Sequence, residues 1–274
     1  QSLSSAASDV YKRQRENTAR YLETYGEDIP IKCHPEIRSS ESCYISSSKA
    51  IALAKKTGAR LHVFHLTTEK EMALFSNKKP LKDKKITAEV CVHHLWFTDA
   101  DYEKKGAFIK WNPAVKSAND REALWEALLC DKIDVIATDH APHTFEEKSN
   151  TYLKAPSGGP LVQHALVAMM EVCHKGKISV EKMVEKMSHN PAILFQIEKR
   201  GFIKEGYFAD LVLVNPNNPW TVNKDNILYK CGWSPFEGST FKSRVTHTIL
   251  NGAIVYENAN FTNVNTAMRL TFNL

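Results

Sequence analysis

Four short apolar runs in this chain each end in a residue able to bind a metal or a polar ligand. His65 closes LHVFH, His93 closes AEVCVH, Asn112 closes FIKWN and Asp139 closes DVIATD. Two imidazoles and a carboxylate suit zinc, which takes nitrogen from histidine and oxygen from aspartate and needs an open position for catalysis. Taken singly, each histidine reads more readily as a surface or core residue; their joint placement after successive runs is what points to a site. In residues 133–144, IDVIATDHAPHT, the aliphatics Val135, Ile136 and Ala137 read as a strand covered on both faces. Asp139 and His143 then stand where parallel strands gather ligand-binding residues. The simpler alternative for that stretch alone is a loop in which Asp139 caps the next helix and the histidines are solvated. His94 is the second candidate to His93, because the doublet allows a slip of one position and an alternating strand turns only one of the two inward. By the same parity His62, at odd spacing from His65, is expected to face the other side.

The elements that must position these residues alternate along the chain. Residues 39–57 read as a helix with serines to start it and Gly58 to end it, followed by a strand in ARLHVFHL. A short helix around residues 69–75, a strand from Ile86 in ITAEVCVHHL, a short strand from Ala107 in AFIKWN and a helix over 119–129 lead to the strand before Asp139. Strands alternating with helices predict a parallel sheet, in a barrel or a doubly wound arrangement. From Gly159 to about Phe195 the reading is helical, with Gly176 as a stop and Ser179 as a cap. The texture changes after Lys199. ADLVLV at 209–214 is a strong strand, and Asn251-Gly252 between two alternating runs is the signal of a hairpin whose turn needs positive φ twice. The expected organisation is an α/β part over 15–199 and a small β part over 200–274.

With 274 residues, 43% of them hydrophobic, the chain can bury a substantial core. No run approaches the roughly 18 apolar residues of a membrane helix. The net charge of +5 is spread without a basic block, so neither a membrane nor nucleic acid is the expected partner. The 6 cysteines form no CxxC pair, which suits reduced thiols in the cytoplasm. Residues 4–14, SSAASDVYKRQ, are not a targeting signal; bases that encode them resemble a transposon adapter used to prepare sequencing libraries. Residues 1–14 are therefore expected to be a remnant, with natural sequence beginning near Arg15.

The chain resembles the dihydroorotases of the amidohydrolase superfamily, and more loosely the allantoinases and dihydropyrimidinases. The segments that carry the resemblance are RLHVFHLTT, AEVCVHHLWFTDADY, IKWNPAVKS and ATDHAPHTFEEK, with GFIKEGYFADLVLVNPNNPW, SPFEG and LNGAIVYE in the tail. DHAPHTFEEK is the most specific; ADLVLVNP alone marks only the superfamily. The resemblance implies a (β/α)8 TIM barrel with zinc, one or two ions per full-length subunit, at its carboxyl rim, of which this chain holds the equivalents of strands five to eight, plus part of a small β-sandwich. It implies that His65, His93 and Asp139 are metal ligands. By the same resemblance, Asp139 is expected also to take a proton as the ring amide is attacked and to deliver it to the leaving nitrogen. It further implies that Asn112 and His143 hold the substrate, His143 at its carboxylate, and that backbone groups around Gly159 and Leu161 meet the pyrimidine ring.

The implied reaction is the reversible interconversion of N-carbamoyl-L-aspartate and L-dihydroorotate in pyrimidine synthesis, in the cytoplasm, with a homodimer left open as the state of the full-length protein. Two alternatives stand beside it: another cyclic amidohydrolase such as allantoinase or dihydropyrimidinase, and a metal-free relative serving as a scaffold. NPAVK replaces the NPPLR of many relatives, and Val92 replaces the proline before the histidine doublet. The family's HxH pair, its fourth-strand ligand and its substrate-binding arginine and asparagine have no counterpart here, since His34 and His62 form no HxH. The chain is accordingly expected to be an amino-terminally truncated enzyme that does not hydrolyse dihydroorotate by itself.

Overall fold

The structure is a computed structural model and describes residues 2–273; Gln1, the first residue of the expected remnant, and Leu274 lie outside the described residues. Packing groups the chain into two units, one of Gln1–Gln163 with Lys224–Pro235, the other of His164–Asn223 with Phe236–Leu274.

The first unit opens with helix α1 (Ser2–Tyr25), which packs on α2 (Ser40–Thr57). Ser39 caps α2 by accepting the Ser42 amide at 3.3 Å, and Gly58, at φ 72°, ends it in the left-handed region that a side chain disfavours. Strands β1 (Leu61–Val63), β2 (Ile86–Cys91) and β3 (Val135–Ala137) form a parallel sheet in that order, with Leu61 opposite Ile86 and Glu89 opposite Val135. Ala88 and Val90 on β2 are fully buried, as a strand covered on both faces requires. Helix α3 (Val92–Trp96) follows β2 without a break, and α4 (Ala118–Leu129) begins at a capping box in which Ser117 and Asp120 satisfy each other's amides. The Trp125 indole donates to the Leu95 carbonyl at 3.0 Å and ties α4 to α3. A second box, Thr144 with Glu147, starts the single turn α5 (Phe145–Lys148).

One expected strand is not formed. In AFIKWN, Gly106–Ile109 make a 3-10 turn. The backbone beyond it is bonded outside any ladder: the Lys110 carbonyl accepts from the Gly158 amide at 2.9 Å and from Lys148 Nζ at 3.2 Å, and the Trp111 carbonyl accepts from His34 Nε2 at 2.7 Å. The strands of ARLHVFHL and ITAEVCVHHL are also shorter than expected, ending at Val63 and Cys91.

In the second unit, helices α6 (Ala165–His174) and α7 (Val180–Val184) precede the β structure, and Ser179 caps α7 as expected, accepting the Lys182 amide at 3.1 Å. Strand β4 (Leu211–Asn215) is followed by the pair β5 (Trp220–Thr221) and β6 (Thr240–Phe241), then β7 (Arg244–Leu250), β8 (Ala253–Glu257) and β9 (Asn260–Phe261). The larger sheet is antiparallel in the order β4-β7-β8-β9. Asn251 at φ 50° and Gly252 at φ 86° make the expected tight turn between β7 and β8.

A buried ion pair anchors the sheet of the first unit. Asp134 accepts from the Ala88 amide at 3.0 Å and from Lys84 Nζ at 2.6 Å, with side-chain exposures of 3% and 6% for Asp134 and Lys84. Asp134→Ala leaves the ammonium buried without its counter-charge and is expected to cost about 3–5 kcal/mol. The double replacement Lys84→Met with Asp134→Leu should cost less, and urea unfolding of both variants measures the difference.

Candidate active site

His65, His93 and Asp139 share one placement. Each lies two residues past the last residue of its strand: His65 after Val63, His93 after Cys91, Asp139 after Ala137. At two of these positions the chain turns sharply, with φ of 41° at His65 and 48° at Asp139, values uncommon for residues other than glycine and concentrated at functional sites. His65 is felt by both of the others. Burial, followed by the neighbouring His94 and His65, holds the His93 imidazole far below its usual value. Burial raises the Asp139 carboxyl, Glu89 raises it further, and His65 acts the other way. Asn112 stands apart from this set of strand ends, on the irregular stretch after the 3-10 turn. With His65, Arg38, Ser47 and Glu71 it lines a cavity of about 400 Å³.

The histidine doublet corrects the parity expectation. Because β2 stops at Cys91 and α3 starts at Val92, strand alternation does not reach His93 and His94, and both rings are buried, 0% and 3% exposed. Their centroids lie 3.9 Å apart, and Trp111 stacks on the other side of His93 at 4.2 Å. His94 Nε2 donates to the Pro113 carbonyl at 3.1 Å, which leaves the lone pair on Nδ1. Parity likewise cannot be carried from His62 to His65, since β1 ends between them. His62 bonds Thr87 Oγ1 at 2.9 Å and Glu89 Oε2 at 3.1 Å.

The donor set fits a metal ion. His65 Nδ1, both nitrogens of His93 and His94 Nδ1 are buried without a hydrogen-bond partner. Each unsatisfied buried polar atom costs about 1–3 kcal/mol, and coordination would satisfy them. Among the described residues, the group whose ligand atoms all fall within 4.8 Å of one another is Cys91, His93 and His94, which sequence reasoning did not assemble.

The residues expected to meet substrate are held by a loop. Lys148 and Lys110 were not anticipated as part of it, although Lys148 ends DHAPHTFEEK. Lys148 Nζ donates to the carbonyls of Pro156 and Gly158 at 2.8 Å each, and Lys110 Nζ to those of Tyr152 and Ala155 at 2.6 Å each. At Gly159 an added Cβ would come within 3.0 Å of Trp111 and 3.2 Å of Trp233, so the glycine allows two indoles to close on the chain. The Leu161 amide donates to His140 Nδ1 at 3.0 Å; this contact of His140 was missed, its one signal being its place in DHAPH. His143 is one-third exposed, its Nδ1 3.5 Å from Glu147 Oε2, while its carbonyl accepts the Trp233 indole at 2.7 Å.

The profile of one family, described as "Amidohydrolase family", matches residues 31–255. The chain belongs to the amidohydrolase family. It is 38% identical over 205 residues to a dihydroorotase of Clostridioides difficile, covering 74% of this chain and 48% of that protein. To a dihydroorotase of Pyrococcus furiosus it is 35% identical over 236 residues, covering 86% and 52%. This amidohydrolase chain thus spans about half the length of the curated relatives it matches. Among solved structures, an L-hydantoinase (dihydropyrimidinase) from Arthrobacter aurescens superposes with a TM-score of 0.82 at 26% identity over 92% of this chain and 56% of that one. A D-hydantoinase with a TM-score of 0.81 at 21% identity shares the fold.

Burial, with the nearby Lys110 charge, lowers the Lys148 ammonium from 10.5 to about 7. Between those values the unfolded chain binds a proton that the folded chain does not, so this residue makes stability rise with pH across that window. In Lys148→Met the rise is lost. The urea midpoint of the unaltered chain should therefore gain on that of the variant between about pH 7 and pH 9.

Proposed function

We propose that this chain supplies the carboxyl-terminal part of a zinc-dependent dihydroorotase, the second half of a (β/α)8 barrel over 15–199 with a β part over 200–274. The observation that carries the reading is the identity to dihydroorotases of 35–38% over most of the chain. The supporting one is the collection of unpartnered imidazole nitrogens at the ends of parallel strands. In this reading the substrate is a small molecule, N-carbamoyl-L-aspartate or L-dihydroorotate, and the compartment is the cytoplasm. Among the described residues no helix is long and apolar enough to cross a membrane.

His65, His93 and Asp139 would hold the metal. When bound, zinc polarises the ring amide and makes water acidic enough to attack it near neutral pH. Asp139, half-buried at the strand end, accepts a proton during attack and returns it to the leaving ring nitrogen, so one carboxylate serves as base and then acid. His143 meets the substrate carboxylate and Asn112 the ring. The indoles of Trp111 and Trp233, packed against Gly159, exclude water from the floor of the loop.

A second reading, hydrolysis of a ring lacking the carboxylate, is favoured by the likeness to the Arthrobacter aurescens hydantoinase. The two separate in the enzyme that carries this chain together with the upstream half its relatives have. There, His143→Ala should raise KM for dihydroorotate about 10–100-fold, the loss of one charge-assisted hydrogen bond, while bound zinc stays. His93→Ala should lose zinc and turnover together. An unchanged KM in His143→Ala, with faster turnover of hydantoin than of dihydroorotate, would favour the second reading.

A further inference from the structure

The segment from Tyr152 to Gly159 runs beside Asp139 and His143 with no strand of its own to hold it there. Gly158 is tied on both sides: its amide donates to the Lys110 carbonyl at 2.9 Å, and its carbonyl accepts Lys148 Nζ at 2.8 Å. Lys148 Nζ also donates to the Pro156 carbonyl at 2.8 Å, and Lys110 Nζ to the carbonyls of Tyr152 and Ala155 at 2.6 Å each. So held, the loop lies against the residues that join Asp139 to His143. An added Cβ at Gly158, where φ is 129°, would meet the Ala141 carbonyl at 2.5 Å, and the Gly159 carbonyl accepts the Ala141 amide at 3.2 Å.

We propose that Lys110 and Lys148 are positioning residues: together they latch the loop 152–159 against the segment between Asp139 and His143, and so set the affinity of the site for its ring substrate. That the loop meets the ring rests on the dihydroorotase reading; that the lysines hold the loop does not. The latch is linked to protons. Each lysine has two short acceptors among the loop carbonyls, matching the two N–H groups of an uncharged amine, so the closed loop is served without the charge. The charges facing them, Arg38 at Lys110 and Lys110 at Lys148, favour the same form, and the rings of Tyr152 and Trp233 lie beside the two amines. Burial, the larger cause, brings the values from 10.5 to about 8 for Lys110 and about 7 for Lys148. An open loop returns both groups to water and to their ordinary value, so opening takes up protons. From about pH 7 upward the closed loop therefore gains with rising pH, by up to about tenfold per pH unit for each lysine, and the gain is lost on acidification.

The test is amide hydrogen exchange of the 274-residue chain, read at Gly158 and corrected for the intrinsic rate at each pH. Between pH 7 and pH 8.5 protection of Gly158 should rise at least about tenfold. In Lys148→Met, protection at pH 8 should fall at least about tenfold and its rise with pH should shrink to about fourfold, that of Lys110 alone, while the Val90 amide on β2 is unaffected. Lys154→Met, at an exposed lysine of the same loop, should do neither. In the enzyme carrying the upstream half, Lys148→Met should raise KM for dihydroorotate at least about tenfold and change kcat less than about threefold, with bound zinc unchanged. If the unaltered enzyme turns over hydantoin and not dihydroorotate, the dihydroorotase reading fails, and the same split in KM and kcat is expected for that ring. Protection of Gly158 that ignores pH, that is unchanged in both Lys110→Met and Lys148→Met, or that is lost with KM unaltered overturns the proposal. Should Lys148→Met not fold, the pH dependence of the unaltered chain and the exchange and KM of Lys110→Met decide in the same terms.

Discussion

Imidazole nitrogens removed from water without a protein partner are the constraint on which the site region of this chain depends. His93 lies between His94 and Trp111 with both nitrogens unsatisfied, and His65 and His94 each contribute one more. A protein interior does not collect such atoms at no cost; each forfeits the hydrogen bond it had in water. The surrounding fold tolerates them because the parallel sheet fixes where they stand. With the strands paired in the order β1-β2-β3, the residues two places past their ends are brought to one edge of the sheet, and their charges are felt across it.

A second set of buried groups fixes the loop beside that edge. Lys110 and Lys148 place their ammonium groups among backbone carbonyls of the segment that runs from Tyr152 to Gly158. An irregular loop has few ladder bonds of its own, so its carbonyls need donors from elsewhere. Each lysine supplies several at once, and the cost of burying the charge appears as a lowered ammonium value, about 8 for Lys110 and about 7 for Lys148. The loop so held brings Gly159 between two indoles and joins the Leu161 amide to His140. Side chains thus do for this loop what a strand would otherwise have done.

Much of the local structure was legible. Serine caps at Ser39 and Ser179, the glycine stop at Gly58, and the Asn251-Gly252 turn each act through a bond or a dihedral that the residue type itself dictates. The strand before Asp139 was read from its aliphatic run, and the amidohydrolase family from motifs spread across the chain. The strand expected in AFIKWN was not legible, because what displaces it is bonding by His34, Lys148 and Gly158, residues far away in sequence. The same limit hid Lys110 and Lys148: a lysine reads as solvated until its acceptors are known. Cys91 was not legible as a candidate, because it reads as part of the apolar run and stands two residues before His93, the residue at which that run was taken to end.

The two departures from the family pattern can be placed on physical grounds. Val92, where the family resemblance leads one to expect proline, is the first residue of α3. That is the helical position at which proline is best tolerated, since its missing amide would have no intrahelical acceptor there, so either residue can begin the turn. What the substitution leaves unchanged is the switch from strand to helix between Cys91 and His93, and that switch is what turns both histidines of the doublet inward. In NPAVK, Val115 is fully buried and Lys116 nearly so, with its Nζ on the Ala114 carbonyl at 3.1 Å. The aliphatic position is filled by an aliphatic residue, and the cation that follows is bound to backbone.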